Sequence, residues 1–222
     1  SKLLFENFMM YANNESPLNI QGDLDFTNVE NMKLNVRMRA QNFLLIDAKE
    51  NARSEAFGKA YVNFYGSMQG ALNNLKMMGK IDVLGKPDMT YVLRESELTT
   101  DTQLEELVKF TDFKSGKQVV VAKPTLEGFD MLMSISIDES AHILCALNAE
   151  KTNYVDLLGG GDLQMRYNTV DGIRLTGRYT LSDGEMKYSL PIIPLKTFDI
   201  QDGSYIQFTG DPFNPTLSIT AT

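Results

Sequence analysis

The chain has 222 residues, 43% of them hydrophobic and 23% charged, which is the composition of a folded domain and excludes wholesale disorder. Its 29 acidic residues outweigh 21 lysines and arginines, and the net charge of −8 offers no electrostatic reason to bind nucleic acid or an anionic membrane face. One cysteine and one histidine exclude an internal disulfide and leave no standard zinc site or nucleophile–base pair, and no run of about 18 apolar residues exists to span a membrane as a helix. With Ser1 first and no signal peptide, the chain reads as a piece of something longer.

Two-residue alternation dominates, the pattern of strands with one dry and one wet face. Ser1–Asn13 is expected to form a first strand ending in the turn Asn13-Asn14-Glu15-Ser16-Pro17. In 18–26 the apolar row is Leu18, Ile20, Leu24 and Phe26, with Gly22 between, against Asn19, Gln21, Asp23 and Asp25. Met32, Leu34, Val36 and Met38 alternate with Lys33, Asn35, Arg37 and Arg39. Ala60, Val62, Phe64, Met68 and Leu72 follow, then Met77, Ile81 and Val83, then Met89, Tyr91 and Leu93. Tyr61 and Tyr65 fall on the opposite row, which implies partial cover on that side.

Residues 95–118 interrupt the pattern as a polar excursion, with one short helix expected at Thr102–Phe110 from the Thr102/Glu105 capping box. This divides the chain into a β-meander over 1–94, the excursion over 95–118 and a second meander over 119–222. The second half alternates through Phe129, Met131, Met133, Ile135 and Ile137, then Ile143, Cys145 and Leu147. Leu163, Met165 and Tyr167 come next, then Ile173, Leu175, Tyr179 and Leu181, then Met186, Tyr188 and Leu190. Asp171-Gly172, Asp183-Gly184 and Asp202-Gly203 are expected to be turns.

This pattern predicts an all-β fold: an elongated, curved antiparallel sheet of roughly 15 strands with an apolar concave face and at most one short helix. One short helix cannot cover a whole apolar sheet face, so the sheet must fold over itself as a sandwich, a barrel or a curved trough. Glycines on the inward rows (Gly22, Gly66, Gly70, Gly79, Gly161, Gly177) allow bending or close approach of a second layer. Twelve methionines are many for this length; they fill irregular gaps and suit a surface that accepts variable apolar guests.

No catalytic site emerges. Gly159-Gly160-Gly161 lacks the Gly-Lys-Ser/Thr of a phosphate loop, and Gly66-Ser67-Met68-Gln69-Gly70 carries its serine one place too early for a nucleophile elbow. His142 has no partner at a metal or catalytic spacing, Cys145 reads as a small buried hydrophobe, and Glu95, Glu97, Glu105 and Glu106 read as a solvated loop face. No enzyme activity, metal or cofactor is expected.

The C-terminal run 198–222, FDIQDGSYIQFTGDPFNPTLSITAT, resembles the closing signature of the TamB family, the translocation and assembly module proteins of the AsmA-like superfamily, in a form of Bacteroidetes type. The resemblance rests on Gly203, Ser204, Ile206, Phe208, Gly210, Asp211, Pro212, Pro215, Leu217, Ile219 and Ala221. GRYTLSDGEMKYSL (177–190), NFLLID (42–47) and FGKAYVNFYGSMQG (57–70) extend it over nearly the whole chain, with 95–118 divergent. The resemblance implies a taco-like periplasmic sheet, part of an inner-membrane-anchored protein that reaches the outer membrane. It also implies roles in phospholipid movement or outer-membrane protein assembly, with an insertase barrel of BamA/TamA type or a client β-strand as partner.

On that reading the trough would shelter phospholipid acyl chains along Leu24, Phe26, Val62, Phe64, Ile81, Met131, Met133, Leu163, Met165, Leu175, Tyr179, Met186 and Tyr188. Contact with a membrane would run only through other parts of the parent. The alternative is a structural or adhesive β-domain with a filled core and no lipid cargo.

Overall fold

A computed structural model describes residues 1–12, 15–51, 54, 56–92, 128–190 and 193–222. They form one eleven-stranded sheet: β1 (Lys2–Tyr11), β2 (Pro17–Asp25), β3 (Lys33–Ala48), β4 (Ala56–Ala71), β5 (Asn74–Val92), β6 (Phe129–Ala146), β7 (Tyr154–Asn168), β8 (Gly172–Leu190), β9 (Ile193–Asp199), β10 (Tyr205–Gly210) and β11 (Thr216–Ser218). The strands lie side by side in the order β1 to β8, then β10 and β11, while β9 pairs with the second half of β8. The sheet is open, with β1 and β11 as its edges. The only helical turn among the described residues is a 3-10 turn at Val29–Asn31, capped by the Asn28 side chain accepting from the Glu30 N–H. The helix expected at Thr102–Phe110 and the acidic 95–118 excursion lie outside the described residues.

The alternating pattern becomes burial directly. In β3, Val36, Met38 and Ala40 are buried while Lys33, Asn35, Arg37 and Arg39 are exposed. Paired residues point to the same face, so the register carries this alternation from strand to strand as continuous rows.

Three expectations are corrected. The sheet is not a pure antiparallel meander: β5 and β6 run parallel, from Leu75 opposite Phe129 to Val92 opposite Ala146. Both strands therefore start at the same end, a pairing that a tight hairpin cannot connect. Among the described residues there are eleven strands, several expected segments being fused into strands of up to 19 residues. Asp183-Gly184 is no turn but lies inside β8, where the register against β7 shifts between Leu158 and Gly159; Asp171-Gly172 and Asp202-Gly203 do turn.

The two faces also exchange character along the strands. A bulge at Asn42, which takes the left-handed conformation at φ 50°, re-phases β3 and buries Leu44 on the otherwise polar face beside Tyr61. On the same side, Val92 and Ala146 are buried opposite each other. The connection after β6 is anchored nearby: Lys151 ion-pairs with Glu50 and lies over the Phe57 ring at 4.7 Å. Tyr61 is half-buried accordingly, whereas Tyr65 stays exposed.

A buried cluster forms beside the glycine run of β7. Leu157, Tyr179, Leu181 and Ile200 form a buried cluster, with Ile137, Ile143, Val155 and Ile206 packed on it. Gly159, Gly160 and Gly161 sit in β7 at that point, and a Cβ on Gly160 would stand 2.5 Å from the Ile137 carbonyl oxygen. Strands β6 and β8, the two neighbours of β7, come within 8 Å of each other, closer than the ~9.6 Å of a flat sheet. The missing side chains let the sheet curl here.

Candidate functional site

The candidate site is the apolar face itself. Its central row reads Ile20, Met38, Gly66, Gly79, Met133, Met165, Leu175, Gly210 across eight strands. One row on lie Leu18, Ala40, Phe64, Ile81, Ile135, Leu163, Gly177 and Phe208. The next holds Phe43, Val62, Val83, Ile137, Gly161, Tyr179 and Ile206. On the other side run Phe5, Gly22, Val36, Met68, Met77, Met131, Tyr167 and Ile173. Leu24 sits between Leu3 and Leu34 in a further row.

Register thus brings Leu24, Val62, Phe64, Ile81, Met131, Met133, Leu163, Met165, Leu175 and Tyr179 onto one face. Met186 joins that face beyond the β8 irregularity, in the row Tyr91, Cys145, Val155, Met186, Phe198, and Tyr188 is opposite Lys196. Phe26 does not join them: it lies past the end of β2, exposed, its N–H bonded to the Ser1 carbonyl at 3.0 Å. Alternation alone could not show that β2 stops one residue short.

Floor and walls of this face differ. Val62 and Met133 are 1% and 2% exposed, whereas Phe64, Ile81, Met131, Leu163, Met165 and Leu175 are only half-buried. Glycines 66 and 79 face each other at the centre, roofed by large neighbours: a Cβ on Gly66 would lie 2.7 Å from the Phe64 ring, and one on Gly79 would lie 3.1 Å from the Met133 sulfur. Sequence reasoning omitted Val36, Met38, Ile135 and Ile137 from the lining, although the alternation that marks the chosen residues also marks these.

Tyr179 pins the curl. Its hydroxyl crosses the side-chain-free Gly159–Gly161 stretch to donate to the Ala141 carbonyl at 3.3 Å. Burial, with a smaller contribution from Cys145, pushes its pKa up to about 12. A phenol whose folded pKa lies above its ordinary value of 10 contributes stability fully below pH 10 and loses it as pH rises toward 12. Two units correspond to about 2–3 kcal/mol. Denaturant midpoints should therefore fall between pH 10 and 12, and Tyr179→Phe should flatten that fall; an unchanged slope in the variant would refute the assignment. Burial likewise pushes the Cys145 thiol up, away from thiolate chemistry.

The polar face carries the sole histidine. His142 sits on β6 between Asp156 of β7, 2.5 Å from Nε2, and Asp88 of β5, 3.5 Å from Nδ1. It ties three strands together across the parallel pair, a structural role. Among the described residues no group of three His, Cys, Asp or Glu side chains could hold a metal. The hollows among them are shallow; one of about 420 Å³ is lined largely by polar groups such as Ser136, Asp162 and Thr180.

The signature residues build the closing edge. Gly203 turns the chain at φ 82°, and the buried Ser204 hydroxyl accepts the Thr220 N–H at 3.1 Å. Ile206 and Phe208 enter the apolar rows, while the Asp211 carboxylate caps the Phe213 N–H at 2.9 Å so that Pro212 and Pro215 frame the turn into β11. Asp199 and Thr222 exchange backbone hydrogen bonds at 2.9 and 3.1 Å. These residues finish the sheet.

Fold and face together define a class of protein that presents a long apolar sheet surface instead of a pocket. A family model of the TamB C-terminal domain matches residues 7–222, and the chain belongs to that family of translocation and assembly proteins of the cell envelope, a non-enzymatic family that works with an outer-membrane insertase. Neither a curated protein nor a solved structure matched the chain.

Proposed function

We propose that this domain is a periplasmic segment of an inner-membrane-anchored envelope protein whose apolar face shelters phospholipid acyl chains between the two membranes. One observation carries the reading: half-buried apolar rows run unbroken across the strands from β2 to β8 and beyond, crossing a sheet over which no second layer lies among the described residues. An acyl chain laid along such a row gains about 0.8 kcal/mol for each methylene removed from water, so a few methylenes suffice for useful affinity. Methionines 68, 77, 131, 133 and 165, spread over two adjacent rows, supply a deformable surface suited to chains of varied length and unsaturation. The exposed edge strand β1 supports assistance to an incoming client strand by edge pairing as a second role for the same sheet.

The reading is tested by native mass spectrometry of protein purified without detergent. Co-bound phospholipid is the expected result, displaced by added fatty acid. A delipidated, folded protein that never takes up phospholipid would leave the structural or adhesive reading in its place.

A further inference from the structure

The described connections at the two ends of the strands are chemically unlike. At one end, where Asp25 pairs with Lys33, Ala71 with Asn74 and Asn168 with Gly172, every described connection carries an exposed apolar side chain. Val29 is 73% exposed after β2, Leu72 is exposed between β4 and β5, and Val170 between β7 and β8 and Phe213 between β10 and β11 are each 90% exposed. At the other end the described connections are polar and tied to each other: Lys49, Glu50, Asn51 and Ser54 after β3 face Glu150, Lys151 and Thr152 after β6, joined by the Lys151–Glu50 ion pair. Val29, Val170 and Phe213 are held out in water at this end, with the less exposed Leu72 beside them.

Charge follows the same axis on the polar face. Behind the apolar tips lie two rows without an acidic residue: Gln21, Arg37, Ser67, Met78, Leu132, Arg166, Arg174 and Asn19, Arg39, Tyr65, Lys80, Ser134, Gln164, Thr176. Arg166 and Arg174 hold paired register positions, and the Arg174 guanidinium lies over Gly210 of β10, where a Cβ would stand 2.8 Å from it. Acidic residues at this end are Asp23, Asp25, Glu30, Asp130, Asp171 and Asp211. Asp23 pairs with Lys2, and Asp25, Asp171 and Asp211 accept hydrogen bonds within their turns. Toward the opposite end the rows hold Asp88, Asp183, Asp156, Glu185 and Asp199 together with Lys59 and Lys187, which ion-pair with Asp47 and Glu185. The two rows behind the apolar tips thus carry Arg37, Arg39, Lys80, Arg166 and Arg174 with no carboxylate among them, a local basic patch within a chain of net charge −8.

We propose that the end bearing Val29, Leu72, Val170 and Phe213 docks on a lipid bilayer, its apolar tips in the interface and Arg166 and Arg174 on lipid phosphates. Apolar tips backed by arginines match the layering of a bilayer interface, where hydrocarbon lies below a plane of anionic phosphate. This docking goes beyond the sheltering of acyl chains and does not depend on it.

The test is flotation of the 222-residue chain with vesicles of phosphatidylethanolamine and phosphatidylglycerol. The chain is expected to float with them, less so as salt rises. Val170→Asp with Phe213→Asp should weaken flotation by ~10-fold or more, since carboxylates do not enter the interface. Leu195→Asp, an exposed apolar site on β9 away from the tips, should float as the parent does. Circular dichroism confirms that each variant is folded, and both substituted loops are exposed enough to accept the change. Absence of flotation by the parent, flotation undiminished in the double variant, or equal loss in Leu195→Asp would each overturn the proposal.

Discussion

Replacing Leu181 with aspartate is expected to unfold this domain, and replacing it with alanine to cost about 3–5 kcal/mol. Leu181 is 0% exposed, and its packing partners Leu157, Tyr179 and Ile200 come from β7, β8 and the link between β9 and β10. Its pairing partner is Gly159, itself opposite Ala141, so the paired positions supply no larger side chain to fill the space a truncation leaves. The Leu181 backbone bonds to Ser204 and Gly203 at 2.7 and 3.1 Å, which couples the cluster to the closing turn. A carboxylate there would be buried in a cluster whose one hydroxyl, that of Tyr179, already donates to the Ala141 carbonyl. Urea denaturation followed by circular dichroism should show a lower midpoint for Leu181→Ala with an unchanged slope, and no cooperative transition for Leu181→Asp. A Leu181→Ala midpoint close to that of the parent would mean that the curl at Gly159–Gly161 is held by something else.

The second large effect separates the faces. Met165 lies in the central apolar row between Met133 and Leu175, half-buried, and Met165→Asp should cost about 2–4 kcal/mol and empty the sheet of co-purified lipid. Thr176 is opposite Gln164 on the polar face, exposed, and Thr176→Asp should stay within about 0.5 kcal/mol of the parent and retain lipid. Paired thermal melts and native mass spectra of the two variants read both quantities. Equal behaviour of the two would show that the apolar rows neither stabilise the sheet nor hold cargo.

Much of this architecture was legible residue by residue. Strand β3 reads Leu34, Val36, Met38 against Lys33, Arg37, Arg39, and its burial alternates with the same period. The Asp171-Gly172 and Asp202-Gly203 turns were legible for the same local reason: short polar residues and glycine accept the backbone angles of a tight reversal. Asp183-Gly184 has the same chemistry yet runs straight through β8, because pairing with β7 supplies the hydrogen bonds that a turn would otherwise satisfy. Phe26 illustrates the limit at a strand end, where one residue of difference in length moves a side chain from the face to the rim.

The apolar tips escaped a reading based on alternation, since Val29, Val170 and Phe213 stand in connections rather than in strands. Their common end is a property of register alone. Likewise, the parallel pairing of β5 with β6 leaves no mark on either strand, whose sequences suit an antiparallel neighbour equally well.

The amino-acid order by itself determined that this chain forms long strands with a dry side and a wet side, because side chains alternate across a strand whatever it pairs with. Which rows meet, where the sheet curls over its glycines, and which loops gather at one end were decided by the tertiary structure. Those features depend on backbone pairing between residues far apart in the chain, and backbone hydrogen bonds carry no record of side-chain identity.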